Sequence, residues 1–281
     1  MSVHAGPETN AQRLSSVQIR QRIRTGAHDT HTAGLAPGML QCNLAILPEQ
    51  HALDFLRFCQ RNPKPCPVVG VSETGDPMLR TLGRDIDIRS DVPRYRVFRD
   101  GAFSEERTDI AGLWADDLVT VALGCSFTFE NALMRAGIPV RHIEMGRNVP
   151  MFRTSIDLVP AGPFGGQMVV TMRPLRADQI DDARTISARY PQAHGGPIAV
   201  GDPAAIGITD LNRPDYGDPV EIAPDEVPVF WACGVTPQNV LRAARLPVCI
   251  THAPGHMLIT DVAEDAETTI YQETTQQGVN T

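Results

Sequence analysis

The sequence predicts an α/β protein in two parts: a mixed, partly parallel sheet flanked by helices, and a second, smaller α+β part. Three observations lead there. β-branched apolar runs such as "DLVTVALG" alternate with helically spaced segments such as "PEQHALDFLRFCQRN", the pattern of a sheet with helices on its faces. "RYRVFRDGAFSEERT" carries Asp100-Gly101 between alternating segments, which signals a hairpin. Together with a Pro/Gly-rich middle, that hairpin implies the added α+β unit. The expected division is an N-terminal extension over 1–30, partly flexible, and a main α/β domain from 31–140 plus 228–265. The smaller part covers 141–227, and 266–281 is a flexible tail.

In chain order, "AQRLSSVQIRQRIRTG" has the spacing of a short amphipathic helix ending before Gly26. "AGLAPGMLQCNLAILP" reads as a loop leading into a short strand, and Pro48 suits the start of the helix that follows. "CPVVGVSETGDP" is a buried strand and a turn. After the hairpin comes "VTVALGCSFTFENALMRAG", a strand that passes directly into a helix, with Gly137 suited to the left-handed position that ends it. "GQMVVTMRP" is a strand, and Ile180, Ala183, Ile186 and Tyr190 mark a helix ending before Pro191. "GGPIAVGDP" and "EVPVFWACG" are strand candidates and "TPQNVLRAAR" a short helix. "LPVCITHAPGHMLITD" reads as strand, sharp loop, strand. No internal repeat of fixed period is visible.

The chain has 281 residues, 42% of them apolar, enough for a substantial core. No stretch approaches the roughly 18 uninterrupted apolar residues of a membrane span. The N-terminal "MSVHAGPETNAQRLSS" has no apolar signal-peptide core, so a cytoplasmic, non-membrane protein is expected. Net charge is −8 with no basic stripe, which argues against nucleic acid as a partner. Of the 25 basic residues only Lys64 is lysine, leaving many planar guanidinium groups for carboxylates. Six cysteines are scattered without a C-x-x-C pair and read as free thiols. "GDPAAIG" is neither a Walker loop nor a dinucleotide fingerprint, so no nucleotide cofactor is inferred.

Two strand-to-helix corners share one design. The first turns at Gly124, Cys125 and Ser126; the second turns at Gly234, with Thr236 as the expected N-cap and Pro237 as the first helical residue. Such corners present free backbone N–H groups at the positive end of a helix and suit anions. Cys125 sits where a helix N-terminus would favour a thiolate, and is otherwise a small buried hydrophobe at a tight turn. Glu130, one turn on, either complements the helix dipole or acts as an acid if burial raises its pKa. His252 and His256 flank Pro254-Gly255, which breaks any helix, so a metal is not expected. They are candidates for acid/base work or substrate hydrogen bonding, against two loop histidines bonded to backbone; His194 is similar but weaker. Arg89, Arg94, Arg96, Arg153 and Arg173 lie near strand ends, with Arg89 and Arg153 first choices for a carboxylate.

Seven blocks, "TAGLAPGMLQCNLAILP", "DIRSDVPRYRVFRDG", "GCSFTFENAL", "NVPMFRTSI", "HGGPIAVGDPAAIGI", "PVFWACGVTPQ" and "THAPGHMLITD", resemble in that order the D-glutamate cyclase family, whose bacterial members are labelled hydro-lyases. The match spans about residues 30–261. Met39 departs from it, since an aromatic residue is expected there, and this touches the ligand's shape near Asn43, a candidate substrate contact. The resemblance implies a two-part α/β protein and a lyase reaction in which D-glutamate loses water to form 5-oxo-D-proline. It supplies no catalytic set, so site residues rest on physical argument. Arg89 or Arg153 would hold the α-carboxylate, His252 or His256 would take the ammonium proton, and the amides of Ser126–Thr128, with Thr236 at the second corner, would face the oxyanion. Glu130 or Cys125 would protonate the leaving oxygen. No metal or cofactor is required. A different hydroxy-acid dehydration, a non-catalytic carboxylate-binding protein and a metal-dependent amidohydrolase stay open, and so does a homodimer.

Overall fold

The structure is a computed structural model that describes residues 14–266 and 269–271. Its strands form two sheets. The larger is built from β1 (Met39–Pro48), β2 (Val68–Val71), β3 (Tyr95–Arg99), β4 (Ala102–Arg107), β5 (Leu118–Gly124), β10 (Cys249–His252) and β11 (Leu258–Ala263). The smaller contains β6 (Met151–Asp157), β7 (Gln167–Arg176), β8 (Ala199–Val200) and β9 (Glu226–Ala232). The helices are α1 (Ser16–Arg24), α2 (Glu49–Arg61), α3 (Phe127–Arg135), α4 (Arg141–Glu144), α5 (Ile180–Ala188) and α6 (Val235–Ala243). Strand order is β2-β5-β1-β10-β3-β4, with β11 beside β1, and β6-β7-β9-β8 in the smaller sheet.

Every pair in both sheets is antiparallel, which corrects the expectation of a partly parallel sheet. The reason is visible in the connections. β1 and β2, joined by α2, do run in the same direction, but β5 lies between them and is antiparallel to both. β7 and β8, joined by α5, flank β9 in the same way. The strand–helix–strand units are present; an inserted strand separates each pair.

One connectivity therefore occurs twice. Strands β1, β2 and β5 give the order β2-β5-β1; β7, β8 and β9 give β8-β9-β7. The helix after β5 leads to β6, which pairs with β7 of the smaller sheet; the helix after β9 leads to β10, which pairs with β1 of the larger. Each sheet thus sends a strand-to-helix corner into the other. The boundary expected at residue 228 falls inside β9.

Alternation along β1 divides the core. Leu40, Cys42, Leu44 and Ile46 enter a cluster with Leu79, Leu82, Ile88 and Val97 on the outer face of the larger sheet. Ala45 and Leu47 point the other way, to α2 and the smaller sheet, where they meet Phe55, Phe58, Val170, Met172 and Phe230. Burial on both faces explains the uninterrupted "LAIL" run. Asp100 and Gly101 both have positive φ, as the tight hairpin turn between β3 and β4 requires.

Helix α1 is pinned by charge as well as by Ile19 and Ile23. Arg20 is fully buried and donates to Asp261 at 2.8 Å, Asp85 at 2.5 Å and the Ile259 carbonyl at 2.9 Å. Of the segment expected as a flexible tail, Ala266 and Tyr271 pack against the outer cluster, and the Tyr271 N–H donates to Thr81 O; residues 267–268 and 272–281 lie outside the described residues, as do residues 1–13 of the expected N-terminal extension.

Candidate functional site

The two corners meet at one residue. Asn43, in the middle of β1, donates from Nδ2 to Gly124 O at 2.8 Å. A Cβ on Gly234 would overlap the same Asn43 amide. Gly is required at both places because backbone or amide atoms occupy the space a side chain would need. Asn43 is buried between the corners and acts as their spacer.

The β5–α3 corner is closed. The Gln192 carbonyl lies where a Gly124 side chain would stand, and Ser126, Thr128 and Glu130 are no more than 5% exposed. Glu130 is paired with the buried Arg173 guanidinium, and His142 Nε2 lies 3.3 Å from its Oε1. Arg173 also donates to Thr171 Oγ1 at 3.0 Å and Ser126 Oγ at 3.3 Å, and lies 5.2 Å and 5.3 Å from the centres of the Phe129 and Trp231 rings. Burial alone would push the Glu130 pKa up, but Arg173 and then His142 outweigh it and hold the carboxyl at about 2. The ion pair favours the carboxylate form, and with it the reading in which Glu130 complements the helix start, over the alternative of a proton-donating acid. Burial lifts the Cys125 thiol to about 12 despite the Phe127 N–H, which favours the small buried hydrophobe over the thiolate of its two sequence readings. The Ser126–Thr128 amides therefore face protein, not a cavity open to a ligand.

The β9–α6 corner is also buried, but it borders a cavity. A cavity of about 280 Å³ is lined by Arg96, Phe98 and Phe103 of the hairpin, by Tyr216 and Pro254, and by Val235, Gln238, Asn239 and Arg242 of α6. Arg242 stacks 5.6 Å over the Phe98 ring and, among the described residues, has no carboxylate within 4.0 Å. Arg96 is 3.4 Å from Glu106. Tyr216 donates to Asn239 Oδ1 at 3.0 Å, leaving the Asn239 NH₂ group free to donate. The helix begins at Val235 with Gly234 as its cap. That corrects the expected start at Thr236, whose hydroxyl accepts from Val169 N–H at 2.9 Å and ties α6 to β7.

His252 orients the key amide. On one side of β1 the partner changes from β10, at Ala45, to β11, at Cys42. Leu44, at the change, donates its N–H to His252 Nδ1 at 3.1 Å. Burial pushes the His252 pKa down to about 3, so the ring is neutral, and its proton must sit on Nε2. The Gln238 amide ends 3.0 Å from that nitrogen. A ring N–H there requires the amide oxygen as acceptor, which turns the Gln238 NH₂ group away from the ring. His252 is thus a positioning group with both nitrogens engaged. His256 donates from Nδ1 to Pro254 O at 3.0 Å and is half-buried.

The first-choice arginines lie apart from this cavity. Arg89 is bonded to Asp87 through Nε and Nη2, at 2.9 Å and 2.7 Å. Arg153 donates to Tyr216 OH at 2.9 Å and lines the adjoining groove. The residues that sequence reasoning missed are Gln238, Asn239 and Arg242. Their signal was legible: Arg242 stands one turn from both Gln238 and Asn239 along a mostly apolar short helix. Among the described residues, no three His, Cys, Asp or Glu side chains converge in a way that could hold a metal ion, and no helix is long and apolar enough to cross a membrane.

Comparison with known proteins agrees with the sequence blocks. The D-glutamate cyclase family profile matches residues 119–261, which includes both corners. A protein of Jannaschia sp. (strain CCS1), named "Putative hydro-lyase", is 77% identical over 254 residues, covering 90% of this chain and 96% of its own length. A "Putative hydro-lyase" of Ruegeria pomeroyi is 61% identical, over 92% and 94% respectively, and one of Bordetella petrii is 61% identical, over 88% and 94%. The chain belongs to the D-glutamate cyclase family.

Proposed function

We propose that the protein is a carbon–oxygen lyase that closes D-glutamate into 5-oxo-D-proline and water, in the cavity along α6. Family membership and the relatives' hydro-lyase names support the reaction class. The observation that carries the site is the convergence of Arg242, Arg96 and the oriented Gln238 amide on one small cavity.

The chemistry asks little of the protein. The α-ammonium and γ-carboxylate together hold the protons the reaction needs: one moves from nitrogen to the carboxylate, the amine attacks, and a second leaves with the departing oxygen as water. No net proton comes from a side chain. Arg242 and Arg96 fix the α-carboxylate and the folded chain, and well-oriented intramolecular attack supplies roughly 7–11 kcal/mol of the barrier. The Gln238 NH₂ group donates to the oxyanion that forms at the γ-carbon. The proton passes within the folded substrate, from amine to carboxylate, since neither His252 nor His256 lines the cavity.

Purified protein is incubated with D-glutamate and a chelator while 5-oxoproline is followed. Turnover is expected, with kcat lowered roughly 10²-fold in Gln238→Ala, as for loss of one oxyanion donor, and KM raised about tenfold or more in Arg242→Ala. Absence of turnover by the wild type, or an unchanged kcat in Gln238→Ala, overturns the proposal.

A further inference from the structure

The α6 cavity does not end at Arg242. Arg242 and Asn239 also line a second, larger groove of about 680 Å³, bounded by the hairpin tip at Asp100–Ala102, by Arg153, by Gly165–Gln167 and by Arg245. The inner cavity is already on the scale of a free amino acid, and the two together match a ligand several times larger. The charge of the groove is opposite to that of the chain. The protein carries 33 acidic and 25 basic residues, yet this groove holds three arginines and one aspartate. Among the described residues, neither Arg242 nor Arg245 has a carboxylate within 4.0 Å, and the Arg153 guanidinium comes no nearer than 3.9 Å to Asp215, whose other oxygen accepts from the Arg153 backbone N–H at 2.8 Å. Guanidinium groups left unpaired beside a groove draw anions.

We propose that the outer groove is a subsite for an anionic leaving group, and that the cleft takes glutamyl conjugates joined through the γ-carboxyl to an acidic amine. This rests on the reading that the glutamyl head lies at Gln238. Asn239 and Arg242 line both spaces, so with the head in the inner cavity a group carried on the γ-carbon reaches the outer groove past Asn239. In the step, the α-nitrogen forms a bond to the γ-carbon and the γ-carbon–nitrogen bond of the conjugate breaks. Two protons pass from the α-nitrogen to the leaving nitrogen, one before the amine attacks and one as the ring closes, giving 5-oxoproline and the departing amine as its ammonium; no water, oxidant or cofactor is consumed. Loss of water from free glutamate is the same ring closure with the smallest leaving group.

The test uses the full chain and three compounds: γ-D-glutamyl-D-glutamate, γ-D-glutamyl methylamide and D-glutamate. The acidic dipeptide is expected to exceed the neutral methylamide in kcat/KM by about tenfold, the worth of one charge-assisted contact. Arg245→Ala should remove most of that preference, raised salt should shrink it, and Arg176→Ala, an exposed arginine paired with Asp178, should leave it intact. Equal turnover of dipeptide and methylamide, or a preference untouched by Arg245→Ala, overturns the inference. If D-glutamate is cyclised and neither conjugate is, the inference falls and the proposed function stands. If none of the three is cyclised, the proposed function falls, and calorimetric binding of the dipeptide decides the groove: binding lost in Arg245→Ala supports it, no binding by the wild type overturns it.

Discussion

Glu130 and Arg173 show how one buried pair settles several residues at once. The carboxylate is held ionised by a guanidinium that is itself fully buried and packed against two neighbouring aromatic rings. Glu130→Gln removes one charge and strands the other, so a loss of about 3–5 kcal/mol is expected in denaturant unfolding; a loss below about 1 kcal/mol would show that the pair is not what holds α3 to β7. This pair also marks a limit of sequence reading. Glu130 could be placed on the first turn of a helix, but its partner lies 43 positions on, in a strand of the other sheet. Local pattern fixes the face a residue occupies; it does not reveal which charge waits there. Gln238 is the reverse case. Its position was legible from helical spacing, while its orientation depends on His252 and on an unpaired strand amide at Leu44.

At the scale of elements, the strand-to-helix corners are built on glycines that fail or tolerate substitution for different reasons. A Cβ at Gly124 would overlap the Gln192 carbonyl, a backbone atom that cannot swing aside. Gly124→Ala is therefore expected to destabilise by about 3 kcal/mol or more, or to prevent folding. Gly112, with nothing within 4 Å of its position and no positive φ, is the control: Gly112→Ala should be neutral or gain up to about 1 kcal/mol. Thermal unfolding of the two variants checks both, and equal effects would contradict the close approach at the corner. The elements themselves were mostly legible, because α2, α3, α5, the Asp100-Gly101 hairpin and the strand–loop–strand at the end each carry a local signature. Strand direction was not. The signal for a strand–helix–strand unit is the same whether its strands are neighbours or are split by a third, and here β5 and β9 split both.

Over the whole molecule, the duplicated connectivity brings two corners of opposite character together at Asn43. The α3 corner is filled with internal charge pairs; the α6 corner borders the cleft. The repeat escapes sequence inspection because it lies in the order of connections and not in the residues. Two buried histidines give the assembled molecule a pH dependence. Burial lowers His194 to about 4 and His252 to about 3, both below the ordinary value of about 6.5 for the unfolded chain. The unfolded state therefore binds more protons, and stability is fully present above about pH 6.5 and declines as pH falls toward the folded values. By pH 5 each histidine accounts for roughly 2 kcal/mol, so Tm should drop by roughly 5–10 °C between pH 7 and pH 5. A flat Tm across that interval would mean that these rings are not held neutral.

The central claim is that a small acid binds at α6, not at α3. The most direct measurement is a crystal structure of the protein soaked with 5-oxo-D-proline. The carboxylate is expected within about 3 Å of the Arg242 guanidinium, with the lactam oxygen facing the Gln238 NH₂ group. A ligand lodged instead beside Arg173 and Ser126, with the α6 cavity left to solvent, would contradict the account.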